Sequence, residues 1–146
     1  MKILLPDGAA PSADPIFDIL TKYKTIAVVG LSSDPARPSY GVTEYMQSAG
    51  YHIIPVNPNE TDVLGEPSYA SLDEVPQKIE IVDVFRRPEE VPPVVDAAIR
   101  AGAKVVWMQL GVANGAAAEK ARAAGITVVM DACIFAEHKK RRQQLS

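Results

Sequence analysis

Short apolar runs and amphipathic stretches alternate along this chain. Thr25–Gly30 is an almost unbroken apolar run ending in glycine, the pattern of a parallel strand buried on both faces. A Pro- and Ser-rich loop leads to Ser39, and a helix is predicted from about Tyr40 to Ala49, with Gly50 placed as its C′ residue. Tyr51–Val56 reads as the next strand, which Asn57, Pro58 and Asn59 break; Pro55 weakens that reading because proline removes a ladder donor. Residues 60–78 read as turn and loop, with a single helical turn near Ser71–Val75. Glu80–Phe85 alternates with a strand period, and Pro88 opens a helix to Ala101 that Gly102 ends. Lys104–Gln109 is a strand, Asn114–Ala124 a helix stopped by Gly125, Ile126–Met130 the last strand, and a basic helix starts near Ile134. Nearer the N-terminus, Asp14 and Pro15 supply an N-cap and a first-turn proline for a short helix through Ile16, Phe17, Ile19 and Leu20. Residues 1–15 read as an N-terminal arm and residues 16–146 as one domain.

Strand and helix alternate about five times, and no internal repeat competes with that pattern. Right-handed crossovers then dictate an α/β fold: a single-domain, Rossmann-like, doubly wound parallel sheet of about five strands with helices on both faces.

Composition narrows the function without setting it. At 146 residues, 47% hydrophobic and 23% charged, the chain buries a full core without staples. A net charge of −3 argues against nucleic acid as a partner. The single cysteine, Cys133, excludes an internal disulfide framework and a Cys-rich zinc site. Apolar runs are too short for a membrane helix, and the N-terminus lacks a signal-peptide pattern, so the expected setting is cytoplasmic. A small-molecule partner is expected; a protein partner or homo-oligomer is not readable from the sequence.

In open α/β sheets ligands lie beyond the carboxyl ends of the strands. The segments in that position are Gly30–Tyr40, Asn57–Asn59, Arg86–Pro88, Gly111–Asn114 and Asp131–Cys133. Only the first has the make-up of a phosphate cradle. Its glycine lets backbone N–H groups approach an anion, Ser32, Ser33 and Ser39 offer hydroxyls, and a helix start follows. It is not G-x-G-x-x-G, and Asn57 stands where an NAD site wants an acidic residue on the ribose. A G-x-x-x-x-G-K-[ST] loop is absent as well.

The combination VVGLSSDPARPSYGVTEYMQSAGYHIIPVNP, LGEPSYASLDEVP, EIVDVFRRPEEVPPVVDAAIRAGAKVVWMQLGV and DACIFAEHKK resembles the small stand-alone CoA-binding proteins. These are similar to the nucleotide-binding domain of succinyl-CoA ligase alpha subunits. The likeness runs over roughly residues 17–140. It implies coenzyme A as cofactor, lying across the strand ends. Gly30, Leu31, Ser32 and Ser33, with Arg37, Ser39 and Tyr40, are then expected at phosphates. Val56, Asn57, Pro58 and Asn59 would flank adenine and ribose, and Phe85, Arg86 and Arg87 the path of the nucleotide or arm. The three arginines suit the phosphates, since guanidinium matches phosphate oxygens with a planar fork. The ligases also relay phosphate through a histidine of a second domain, and no counterpart of that domain is expected here. His52 lies in a strand and His138 in the terminal helix, neither in a phosphohistidine-like loop.

Each of these residues has a plainer role. Ser32 and Ser33 suit a turn, Asn57-Pro58 a strand stop, and Arg86 and Arg87 a solvated pair before a helix. Trp107 reads as core, His52 as a half-buried strand residue, and Cys133 as a buried thiol beside the same sheet edge. Tyr40 fits either a ligand stack or the core. The favoured reading is a non-catalytic module that binds, senses or presents coenzyme A or an acyl-CoA, because no catalytic constellation is present. The alternative is an NAD(P)-type or CoA-dependent enzyme acting with a partner subunit.

Overall fold

A computed structural model describes residues 1–145. In chain order the elements are β1 (Lys2–Leu4), α1 (Pro15–Lys22), β2 (Thr25–Val29), α2 (Pro38–Ser48) and β3 (His52–Val56). A small hairpin of β4 (Asp62–Val63) and β5 (Glu66–Pro67) follows, then β6 (Ile81–Val84), α3 (Val91–Arg100) and β7 (Val105–Met108). The chain closes with α4 (Gly115–Ala123), β8 (Thr127–Met130), α5 (Ile134–Lys140) and α6 (Arg142–Leu145).

The main sheet has six strands in the order β1-β8-β7-β6-β2-β3. Pairings from β3 through β8 are parallel, and β1 adds an antiparallel edge through Lys2, Ile3 and Leu4 opposite Met130, Val129 and Val128. The first residues, expected in an arm, therefore supply a strand. Pro55 sits inside β3 at little cost, because β3 is the opposite edge. His52 donates its N–H to Lys24 and Val56 accepts from Gly30, so the even positions face β2. Pro55 faces outward, where its carbonyl still accepts from Tyr69 and no donor is missed.

Successive strand residues feed two apolar layers. Ala27, Val29, Val82, Val84, Val106 and Met108 pack with α3 and α4 on one face. Ile26, Val28, Ile81, Val105 and Trp107 pack with Ile16, Ile19 and Leu20 of α1, Met46 of α2 and Ile134 of α5 on the other. Trp107 is wholly buried, and its indole N–H donates to the Ala132 carbonyl at 2.9 Å. Gly50, Gly102 and Gly125 each take positive φ just past a helix, as their positions predicted.

Asp14 caps α1 by accepting the Phe17 N–H at 3.2 Å, and its carboxylate also receives Arg141 at 2.8 and 3.1 Å. The Arg141 guanidinium holds the Asp14 carboxyl below its ordinary range. One residue thus fixes the start of α1 and ties it to the C-terminal helices. No helix among the described residues is long and apolar enough to cross a membrane.

Candidate functional site

The chain leaves β2 in one direction to build β3, then returns to the other side of β2 to build β6. That reversal places a topological switch between the carboxyl ends of β2 and β6, at Gly30 and Phe85. A cleft of about 860 Å³ opens there, within the size range of small-molecule sites. Every parallel strand end contributes to it: Gly30 and Ser32 after β2, Asn57 and Glu60 after β3, Phe85 and Arg86 after β6, Gln109 after β7 and Cys133 after β8.

Gly30 has a structural reason to be glycine. Its φ is +89°, and a β-carbon there would stand 2.3 Å from the Phe85 carbonyl oxygen. Its N–H is spent on Val56 at 2.9 Å. The close approach expected between glycine and an anion is thus made to the neighbouring strand end.

The following loop has many of its N–H groups occupied by the protein's own oxygens. Ser32 donates its N–H to Ser39 Oγ at 3.1 Å, and Ser33 donates to the Glu60 carboxylate at 2.6 Å. Asp34 donates to Ser32 Oγ, and Ala36 to the Asp34 carboxylate. The Ser32 and Ser39 hydroxyls act here as acceptors, which leaves each its own proton to donate. Asn57 braces two loops, since its amide donates to the Leu31 carbonyl at 3.0 Å and accepts the Asn59 N–H. Helix α2 begins at Pro38 with no side-chain cap, and Pro38 and Ser39 line the cleft. The positive end of that helix dipole therefore faces the opening.

The three arginines differ in their partners. Arg87 is held by Glu90 and Glu89, and Arg86 lies 3.7 Å from Glu90. These acids hold the Arg87 guanidinium above its already high range, while Arg87 lowers the Glu90 carboxyl. Arg37 is exposed at the rim of this cleft and makes no ion pair with any described residue.

A second cleft of about 520 Å³ lies on the far side of Arg86, which lines both. Its walls are largely apolar, from Val29, Val56, Pro58, Leu72 and Val94, with Glu89 and Glu90 at the edge. In the first cleft the floor is Gln109, Gly111 and Val112, and Leu110 is 72% exposed beside it. Cys133 is half-buried at the end of that floor.

Of the residues expected from sequence, Gly30, Ser32, Arg37, Ser39, Asn57, Asn59, Phe85, Arg86 and Arg87 meet in the first cleft, and Val56 and Pro58 in the second. Three lie outside both. Leu31 is wholly buried, Ser33 is exposed behind its bond to Glu60, and Tyr40 packs against the α1–α2–α5 layer. His52 is exposed on β3, whereas His138 is buried with Nδ1 2.9 Å from the Tyr45 hydroxyl. Burial, aided by Lys24 and Arg142, lowers the His138 pKa. Sequence reasoning missed Glu60, in a loop without period, and Gln109, read as a strand residue. Position after a strand was the only signal for Gly111, Val112 and Cys133.

The CoA binding domain family matches residues 24–139. The uncharacterized protein YneT of Bacillus subtilis is 45% identical over 128 residues, covering 88% of this chain and 95% of YneT. A hypothetical protein from Pyrococcus horikoshii has the same fold with a TM-score of 0.86 at 41% identity, over 96% of this chain and 98% of its own. A dinucleotide-forming acetyl-coenzyme A synthetase from Ca. Korarchaeum cryptofilum aligns with 77% of this chain through 26% of its own, at 25% identity and a TM-score of 0.66. A switch-point cleft reached by every parallel strand agrees with these likenesses, and the chain belongs to the CoA binding domain family.

Proposed function

We propose that this protein binds coenzyme A, free or acylated, across the two clefts, and works as a binding, sensing or presenting module without chemistry of its own. The observation that carries the reading is the pair of clefts meeting at Arg86, one polar-rimmed and one apolar-walled, at the switch point of a CoA binding domain fold. Adenine suits the second cleft, between Val56, Pro58, Leu72 and Val94, because it offers apolar walls to a flat ring. Phosphates suit the meeting point, where Arg86, Arg37, the Ser32 and Ser39 hydroxyls and the start of α2 converge. The arm then follows the floor over Gln109 and Gly111 toward Cys133. Leu31, Ser33 and Tyr40 act in this arrangement by shaping the loop rather than by touching the ligand.

Calorimetric titration with coenzyme A, with NAD and dephospho-CoA as controls, tests this reading. Micromolar binding of coenzyme A with little response to NAD is the expected result. Binding of NAD instead would favour an oxidoreductase-type site, and binding of neither would leave family membership as a statement about fold alone.

A further inference from the structure

A carboxyl group lies where the core has no evident use for one. Asp83 is at the centre of β6, 2% exposed, in register with Val28 on one side and Trp107 on the other. Its neighbours along the strand, Val82 and Val84, are wholly buried. Burial pushes its pKa up to about 7, against a lowering by its bond to Gln109. The sheet would be complete with an apolar residue here, and burying an acid opposes folding.

Its hydrogen-bond partner is Gln109, whose Nε2 donates to the Asp83 carboxylate at 2.6 Å. Gln109 is itself 3% exposed, and it follows directly on β7 at the floor of the first cleft. Its backbone is fixed at both ends, the N–H donating to Val84 and the carbonyl accepting from Val112. With the amide nitrogen drawn down onto Asp83, the opposite amide oxygen accepts no hydrogen bond from a described residue and is not sealed from the cleft. The buried acid is thus tied, through one hydrogen bond, to an amide whose oxygen is left as an oriented acceptor under the ligand path.

We infer that Asp83 and Gln109 form a recognition pair for the arm of the bound ligand, with Gln109 accepting an N–H from a secondary amide and Asp83 holding it in that orientation. This rests on the coenzyme A reading, in which the arm carries two amides and crosses this floor. Gln109 is the contacting residue and Asp83 its positioning residue. A nucleotide without the arm does not reach the pair, so the pair distinguishes coenzyme A from bare adenosine phosphates.

The test compares coenzyme A with adenosine 3′,5′-bisphosphate, which lacks the arm, on the wild-type protein and on Asp83→Val, Asp83→Asn and Gln109→Leu. Asp83→Val and Gln109→Leu should each lose about tenfold in affinity for coenzyme A and leave the bisphosphate unchanged, the scale of one good hydrogen bond. Asp83→Asn should restore coenzyme A binding to near wild type, since its amide oxygen still accepts from Gln109. Each variant is first confirmed to unfold cooperatively on heating. Wild-type affinity for coenzyme A in Gln109→Leu overturns the proposal, as does an equal loss for both ligands. If the wild-type protein binds the bisphosphate and coenzyme A equally, the arm makes no contact and the pair has no role. If it binds neither, the coenzyme A reading itself has failed.

Discussion

Gly30 and Phe85 approach so closely that the glycine's missing β-carbon would lie 2.3 Å from the phenylalanine's carbonyl oxygen. This contact joins the ends of β2 and β6 at the switch point. Replacing Gly30 by alanine combines a clash against backbone with a φ of +89° that side chains rarely adopt. A loss of about 2–5 kcal/mol is expected in urea unfolding. A native midpoint for Gly30→Ala would mean that the two strand ends part easily. Lost ligand binding in such a variant reports the damaged join rather than a phosphate contact.

Glu60 holds the Ser33 N–H with a carboxylate, in the loop that a phosphate would approach. Glu60 itself lines the first cleft, so its charge repels a phosphate that enters there. Glu60→Gln is therefore expected to tighten adenosine 3′,5′-bisphosphate severalfold, read by calorimetry at low salt. Weaker binding would show that Glu60 shapes the loop for its ligand.

Arg37 and Arg87 should differ in their effects. Arg37 lines the cleft with no ion pair to any described residue, whereas Arg87 is already matched by Glu89 and Glu90. Arg37→Ala should cost about tenfold in affinity for phosphate-bearing ligands, and Arg87→Ala clearly less. The reverse order would place the phosphates on the α3 side of the cleft.

Asp83 should make stability fall as pH rises. Its carboxyl titrates at about 7 in the folded chain and near its ordinary 3.8 when unfolded. Between those values the native state holds the extra proton, so the unfolding free energy drops with increasing pH. The stability is fully present below about pH 4 and lost through pH 7. His138 acts oppositely, because its lowered pKa makes the native state hold fewer protons, as do Asp14 and Glu90 at lower pH. Subtracting the Asp83→Asn curve from wild type removes these shared contributions. A difference of a few kcal/mol between pH 4 and pH 8 is expected in urea midpoints, and a flat difference would mean that Asp83 stays ionised.

Much of the fold is written locally. The parallel strands are apolar runs because both their faces are covered, and glycines that must take positive φ mark the helix ends at Gly50, Gly102 and Gly125. β1 was hidden because three residues carry no periodicity, and its place depends on the free edge of β8, far along the chain. Pro55 left β3 less certain in the sequence, which does not say which strand is an edge. In the site, Arg37, Asn57 and Arg86 were legible from following strands. Glu60 and the Asp83–Gln109 pair were not, since each acquires meaning only from a partner 26 or 27 residues away.

Trp107, the only tryptophan, gives this arrangement an optical consequence. Its indole is bound to Ala132, next to Cys133 at the cleft, and its backbone stands in register with Asp83. Emission from one fluorophore therefore carries no background from other indoles. Its wavelength and lifetime are expected to follow the charge on the adjacent carboxyl and the arrival of the proposed ligand at the neighbouring strand end. Proton uptake and binding of the proposed ligand should then be readable in the unlabelled protein, with unfolding expected separately as a large red shift.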